Sequence, residues 1–307
     1  MKAVPSTEDR IWAVLAHLSA LVTGMGLPLP IVGWAEQRRK SNYASFQCLQ
    51  ALGYQSLGYT VWVLSSLLII LVLVIAMMAA MSLGERNEQA INRIAAIGMF
   101  VIFVVTILSL GVYFLLPVIA AVACALGRDF RYPFMGDRLA RYLDYTAGND
   151  GWLNEDHEGR WVAAMGHFSV IIALWGMMAP LTAWIMQGKR NAFLKFQSVQ
   201  ALAFQTFVLL LTLAAGAAYS FGAIVFIMFI GFTGVPDITT PFGIAMIAIL
   251  IISLVFAAVI MLIVPLFHIM GQWAGYRVLK GDDYRYPVLG KHVENLLQNR
   301  KAQPPMP

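Results

Sequence analysis

His17 and His167 each lie in an otherwise apolar stretch, followed thirty residues later by Gln47 or Gln197, then by Gln50 or Gln200, then by Gln55 or Gln205. An imidazole can relay protons, and a file of amides can either line a hydrophilic path or tie helices together. Gln47 and Gln50 are one helical turn apart, as are Gln197 and Gln200, with Gln55 and Gln205 following on a neighbouring face. Amides in lipid seek partners on other helices, each contact being worth roughly 0.6 to 2 kcal/mol. Two readings stand: helix glue, with each imidazole neutral and satisfied by a carbonyl or a glutamine, or a polar path that the histidines face.

Other chemistry is narrow. Paired carboxylates of the kind used by intramembrane proteases, the buried acids of ion-coupled carriers and the convergent ligands of zinc hydrolases have no counterpart in the apolar stretches. Ser19 and Ser169 stand two residues from the histidines, about 200° around a helix, which excludes a local nucleophile–base pair. Cys48 and Cys124 occupy non-matching positions and form no metal-ligand spacing. The sequence therefore nominates no catalytic residue, no metal site and no cofactor, and an enzyme is not expected.

The histidines and glutamines belong to a repeat. Fourteen of the forty-six positions from Arg10 to Gln55 recur unchanged one hundred and fifty residues later without a gap, among them Ser19, Gly26, Pro30, Trp34, Phe46 and Ala51. Chance would supply about three or four, so the chain is two copies of one unit. Residues 1–145 form the first, 146–159 a linker and 160–307 the second. Ser6 with Asp9 is suited to cap the first helix, and Asn154 or Asp156 the helix near Arg160.

Composition places both copies in lipid. The chain is 60% hydrophobic and 12% charged, with a mean hydropathy of +0.72, against about 45–50% apolar and 25% charged in soluble domains. The runs Ile11–Ala35, Phe46–Leu83, Ile94–Gly127, Trp161–Gln187, Phe196–Val235 and Ile238–Tyr276 carry no charge. Each exceeds the roughly 20 residues of a membrane helix, and none alternates like a barrel strand. The expected fold is an all-α integral membrane protein. Each unit has a first segment broken by Gly24, Gly26, Pro28 and Pro30, or by Gly176 and Pro180, then two long apolar helices with kinks at Pro117 and Pro265. The N-terminal stretch lacks a clear cleavage site and is read as retained.

Each unit closes on a second signature, Gly127-Arg-Asp-Phe-Arg-Tyr-Pro133 and Gly281-Asp-Asp-Tyr-Arg-Tyr-Pro287. Glycine then proline stops a helix, and Asp129, Arg131, Tyr132, Asp283, Arg285 and Tyr286 suit the headgroup layer. Leu139, Tyr142 and Leu143, and then Leu289, Val293, Leu296 and Leu297, are spaced for one face of a surface helix lying on lipid or docking a partner.

Charge sets the topology. If the broken segment goes in and returns, both copies share one orientation, and all but Arg86 and Arg93 of the 21 Lys and Arg fall on the N-terminal side. Three crossings per unit would invert the second copy and split the basic residues more evenly. The positive-inside rule favours the first arrangement, with both termini cytoplasmic. Trp12 and Trp34, about 33 Å apart on a straight helix, keep a single crossing open.

The order Arg-x6-His-x-Ser, Pro-x3-Trp, a basic turn, Phe-Gln-x2-Gln-Ala-Leu and Gly-x-Asp-aromatic-Arg-Tyr-Pro resembles a bacterial family of small membrane proteins of unknown function. That family is similar to the twenty-kilodalton subunit of the chloroplast inner-envelope protein-import translocon. The resemblance covers nearly the whole chain, twice. It implies about four membrane segments per unit with both ends on one side, and no enzyme activity.

Function divides into two readings. One is a binding or scaffold protein of the bacterial inner membrane, translocon-like and accessory, whose basic turns meet anionic lipid headgroups or other membrane proteins. The other is a transporter or channel component with a His/Gln-lined path between the copies. The net charge of +5 suits an anionic surface, and no nucleic-acid motif accompanies it.

Overall fold

The computed structural model describes residues 5–83, 88–148, 151–234 and 240–302, which contain no strand. The first copy consists of α1 (Thr7–Leu18), a 3-10 turn (Ser19–Gly26), α2 (Pro28–Gln37), α3 (Asn42–Leu83), α4 (Glu88–Ala125) and α5 (Gly136–Tyr142). The second consists of α6 (Glu155–Phe168), a 3-10 turn (Ser169–Ile172), α7 (Ala173–Gly176), α8 (Met178–Gln187), α9 (Ala192–Thr233), α10 (Pro241–Leu279) and α11 (Leu289–Ala302). Ser6 and Asp9 form a reciprocal capping box on α1, and Asn154 caps α6 through the His157 amide at 3.2 Å. The helix expected near Arg160 thus begins at Glu155.

The broken segment is a hairpin of short helices. Gln37 Nε2, at the end of α2, donates to Glu8 Oε1 in the first turn of α1 at 2.9 Å, so the chain returns to where it entered. The equivalent pair in the second copy is bent by 116°. At 1.5 Å per residue, α1 and α2 are only about 18 and 15 Å long, against a hydrocarbon layer of about 30 Å. Neither crosses. The reversal passes through Thr23 (φ 54°) and Ala173 (φ 47°), repeat mates held in the left-handed region without being glycine. Such backbone costs on the order of 1–3 kcal/mol. At Gly26 and Gly176 a β-carbon would collide with the backbone carbonyl of Ser19 or Ser169, which explains why both positions are glycine.

The spans are α3, α4, α9 and α10, the four helices long and apolar enough to cross a membrane. Each copy thus has two such helices and a hairpin of two short ones. α3, with 42 residues, is about 63 Å long, twice what the bilayer needs. Its first third is packed in protein, while Leu64, Leu68 and Ile75 further along face outward. Ser65 and Ser66 there are satisfied by the carbonyls of Val61 and Trp62. Pro117 and Pro265 lie inside α4 and α10, which run through them without interruption.

Polar ends collect at one end of the molecule. The Tyr43 hydroxyl donates to the Arg128 carbonyl at 3.0 Å, joining the start of α3 to the end of α4. Arg38 pairs with Glu155 at 3.2 Å and Glu158 at 3.3 Å, joining the end of α2 to the start of α6. Each copy therefore leaves and returns at the same end, and the two run in the same sense, as the basic residues suggest.

A single core joins the copies. Trp161 of α6 lies between them, its Nε1–H donating to the Leu49 carbonyl at 2.9 Å. A β-carbon on Gly53 would strike its ring. Trp34 is fully buried and donates from Nε1 to Glu158 Oε1 at 3.1 Å, so it is not the interface anchor that its spacing from Trp12 allows. The stretch after the first signature does not lie on lipid by these residues either: Leu139 of α5 and Leu143 just after it are buried in this shared core. α11 differs, with Val293 buried and Leu296 exposed.

Candidate functional site

Each copy holds one closed polar cluster, assembled from three parts of the chain. α1 supplies His17, the packed end of α3 supplies Gln47 and Gln50, and the turn after α4 supplies Asp129 to Tyr132. Gln47 Nε2 donates to Asp129 Oδ1 at 3.1 Å and to the Phe130 carbonyl at 3.0 Å. Those acceptors fix the amide, leaving Gln47 Oε1 to accept from His17 Nε2 at 3.0 Å and Gln50 Nε2 at 3.1 Å. Because Nε2 of His17 must then carry the proton, Nδ1 is bare and accepts the Tyr132 hydroxyl at 3.0 Å. Gln50 completes the circuit, donating to the Phe130 carbonyl at 3.0 Å and accepting from the Tyr132 amide at 2.9 Å.

The second copy repeats this circuit. Gln197 donates to Asp283 Oδ1 at 2.8 Å and to the Tyr284 carbonyl at 3.0 Å, and accepts from His167 Nε2 at 3.0 Å. His167 Nδ1 meets the Tyr286 hydroxyl at 3.1 Å. Gln200 donates to the Tyr284 carbonyl at 3.0 Å and accepts from the Tyr286 amide at 2.9 Å. Tyr132 stacks on Tyr54 with centroids 4.1 Å apart, and Tyr286 on Phe204 at 3.9 Å. His17, Gln47, Gln50, His167, Gln197 and Gln200 are all buried.

Gln55 and Gln205 belong to a separate cluster at the hairpin reversal. Gln55 Nε2 donates to Ser19 Oγ at 2.9 Å and to the Ala16 carbonyl at 3.3 Å. Gln205 does the same with Ser169 Oγ at 3.3 Å and the Gly166 carbonyl at 2.6 Å. The serine hydroxyls in turn donate to backbone carbonyls. Oε1 of each of these two glutamines has no partner.

The signature splits in two. Tyr132 and Tyr286, expected in the headgroup layer, instead turn inward onto the histidines. Their hydroxyls bond a buried imidazole. Asp129 and Asp283 face both ways. Oδ1 accepts from the glutamine, and Oδ2 accepts from Arg131 or Arg285 at 3.3 Å, with the arginines partly exposed at the polar end. Tyr145 also donates to Asp129 at 3.1 Å, and burial, reinforced by that carboxylate, pushes its hydroxyl well above its ordinary range.

The structure thus brings together His17, Gln47, Gln50, Asp129 and Tyr132, and separately the five mates in the second copy. No hydrogen bond joins one circuit to the other among the described residues. His268, half-buried on α10, takes part in neither. Glu158, which joins the copies through Trp34 and Arg38, is absent from the sequence-derived set. Its signal was available, since Glu8 is its mate and a repeated acid in a lipid protein is worth a partner. Among the described residues no group of His, Cys, Asp and Glu is arranged to hold a metal.

No curated protein and no solved structure matches the chain. One family profile does, twice, over residues 8–139 and 158–293, which contain both copies of the circuit. The chain is a tandem, multipass member of the magnetosome magnetite crystal formation protein family (MamF/MmsF).

Proposed function

We propose that this chain is a non-enzymatic scaffold of a magnetosome-forming membrane, and that its polar residues hold it together and do not conduct. The observation that carries this reading is the closure of both circuits. A path needs polar groups that trade partners with water or cargo, whereas every polar atom of His17, Gln47 and Gln50 is already committed to protein. In this role the basic end meets anionic headgroups on the cytoplasmic face, by the distribution of Lys and Arg. An accessory part of the kind that the translocon resemblance implies would be one form of such a scaffold.

The test is flux. In vesicles of defined lipid containing the purified protein, proton and ferrous-ion entry should equal that of empty vesicles. Entry well above that background, abolished by Gln47→Leu or Gln197→Leu, would overturn the scaffold reading in favour of a conducting one.

A further inference from the structure

A cavity of about 520 Å³ opens at the polar end of the first copy, among Arg131, Asp137, Ala140, Arg141, Asp144 and Thr146. Its volume is that of a small-ligand site. Arg131 is already committed, holding Asp129 at 3.3 Å and Asp137 at 2.7 Å with its guanidinium over the Tyr145 ring. Arg141 and Asp144 are not. They line the same cavity three residues apart, yet among the described residues Arg141 pairs with no carboxylate, that of Asp144 included. Asp144 accepts from Asn154 Nδ2 at 3.2 Å through Oδ2, which leaves Oδ1 unbonded. A guanidinium and a carboxylate that share a cavity without pairing suit a ligand that carries both signs.

The second copy lacks these charges. The mates of Arg141 and Asp144 are the uncharged Asn295 and Gln298, and in place of Ala140 stands Glu294, which bonds Arg285 at 2.5 Å. The signature folds there all the same, so Arg141 and Asp144 are not needed to build it.

Strained backbone borders the cavity at Asp144 (φ 57°) and Phe134 (φ 64°). Phe134 is the centre of a turn closed by the Met135 amide on the Pro133 carbonyl at 2.7 Å, a rare and strained kind, and it is 92% exposed. Val288 repeats the turn in the second copy, with φ 65°. Glycine would relieve either position, so an apolar side chain kept at both is placed for an apolar surrounding. The neighbouring surface is that of lipid-facing helices. On α4 the exposed Leu115, Ile119, Val122 and Leu126 run up to the signature. At the matching end of α10, Arg277 lies over Trp273 and Lys280 over Tyr276, the aromatic and basic pairing of a headgroup layer.

We propose that this cavity binds the headgroup of a phospholipid ending in a primary ammonium, phosphatidylethanolamine in chemistry. Arg141 and the Thr146 hydroxyl take the phosphate, Asp144 takes the ammonium, and Phe134 sits at the acyl boundary. Charge-assisted hydrogen bonds at both ends select this headgroup over one with a phosphate alone. The inference goes beyond the scaffold reading, which asks only for a basic surface, and stands whether or not the circuits conduct.

The test is lipid retention by the delipidated full-length protein in mild detergent, read by native mass spectrometry. Phosphatidylethanolamine, phosphatidylglycerol and phosphatidylcholine of identical acyl chains are added in equal amounts. Phosphatidylethanolamine should be retained preferentially on the 33.9 kDa chain. Arg141→Ala should weaken that retention by about tenfold or more, as the loss of a charge-assisted hydrogen bond does. Asp144→Asn, which keeps the contact to Asn154 and tolerates the left-handed backbone, should lower phosphatidylethanolamine to the level of phosphatidylglycerol. Asn295→Ala, in the second copy, should change nothing. All three side chains are exposed, and the variants should unfold at the wild-type temperature. Equal retention of the three lipids, or retention indifferent to Arg141→Ala and Asp144→Asn, would mean that headgroups meet only a diffuse basic surface and would overturn the proposal. Displacement of the lipid by an equal concentration of glycerophosphoethanolamine would mean that the cavity takes a soluble ligand, and would overturn it as well.

Discussion

α1 and α6 are the same helix used in two ways. Both place a histidine into an identical circuit, with His17 and His167 each 3.0 Å from its glutamine. Their outer faces part company: that of α6 is buried against the first copy, and that of α1 is open. The comparison separates what the unit needs in order to fold from what it needs in order to associate. The residues kept identical around His17 and His167 serve the first, and Trp161 on the outer face of α6 serves the second.

The largest difference should appear at Trp161 and Ile11. Trp161→Ala empties the core between the copies and should cost about 3–5 kcal/mol, whereas Ile11→Ala should change the stability of the single chain by less than about 0.5 kcal/mol. Thermal unfolding in detergent reads both. The circuits should instead be equal: Gln47→Leu and Gln197→Leu each strand buried partners and should each cost about 2–3 kcal/mol. A clear inequality there would mean that one circuit is not structural. Trp34→Phe removes a donor from the buried Glu158 carboxylate and should cost about 1–3 kcal/mol, while Trp184→Phe should be close to neutral. The smallest effect is a gain. Thr23→Gly and Ala173→Gly relieve left-handed backbone and should each stabilise by roughly 1 kcal/mol, net of the extra chain entropy of glycine.

Much of this was legible in the sequence, because repetition and charge-free length are one-dimensional. The two copies, the broken first segment, the long apolar helices and the shared orientation all follow from offsets and counts. The crossing number did not, because a charge-free run from Ile11 to Ala35 has the same length whether it goes straight or doubles back. Gly24, Gly26, Pro28 and Pro30 and the one-sided distribution of Lys and Arg point to the reversal. Tyr132 misled for a similar reason. A tyrosine beside arginine at a helix end has the composition of a headgroup anchor, and its true partner, His17, is 115 residues away. Gln47 and Gln50 were found by spacing, and their pairing with the backbone of the Asp129–Tyr132 turn needed the fold. The burial of Leu139 needed the fold, which packs α5 against the start of α3, as Val293 of α11 is buried in the second copy.

The account turns on the circuits being closed, and nitrogen NMR of protein labelled at the imidazole nitrogens tests that most directly. It predicts, for both His17 and His167, a protonated Nε2 and a bare, hydrogen-bonded Nδ1, with shifts that stay fixed as the buffer is taken from pH 8 to pH 5. Rings that take up a proton in step with the buffer, or that exchange between tautomers, would show water reaching the glutamines and would contradict the lock.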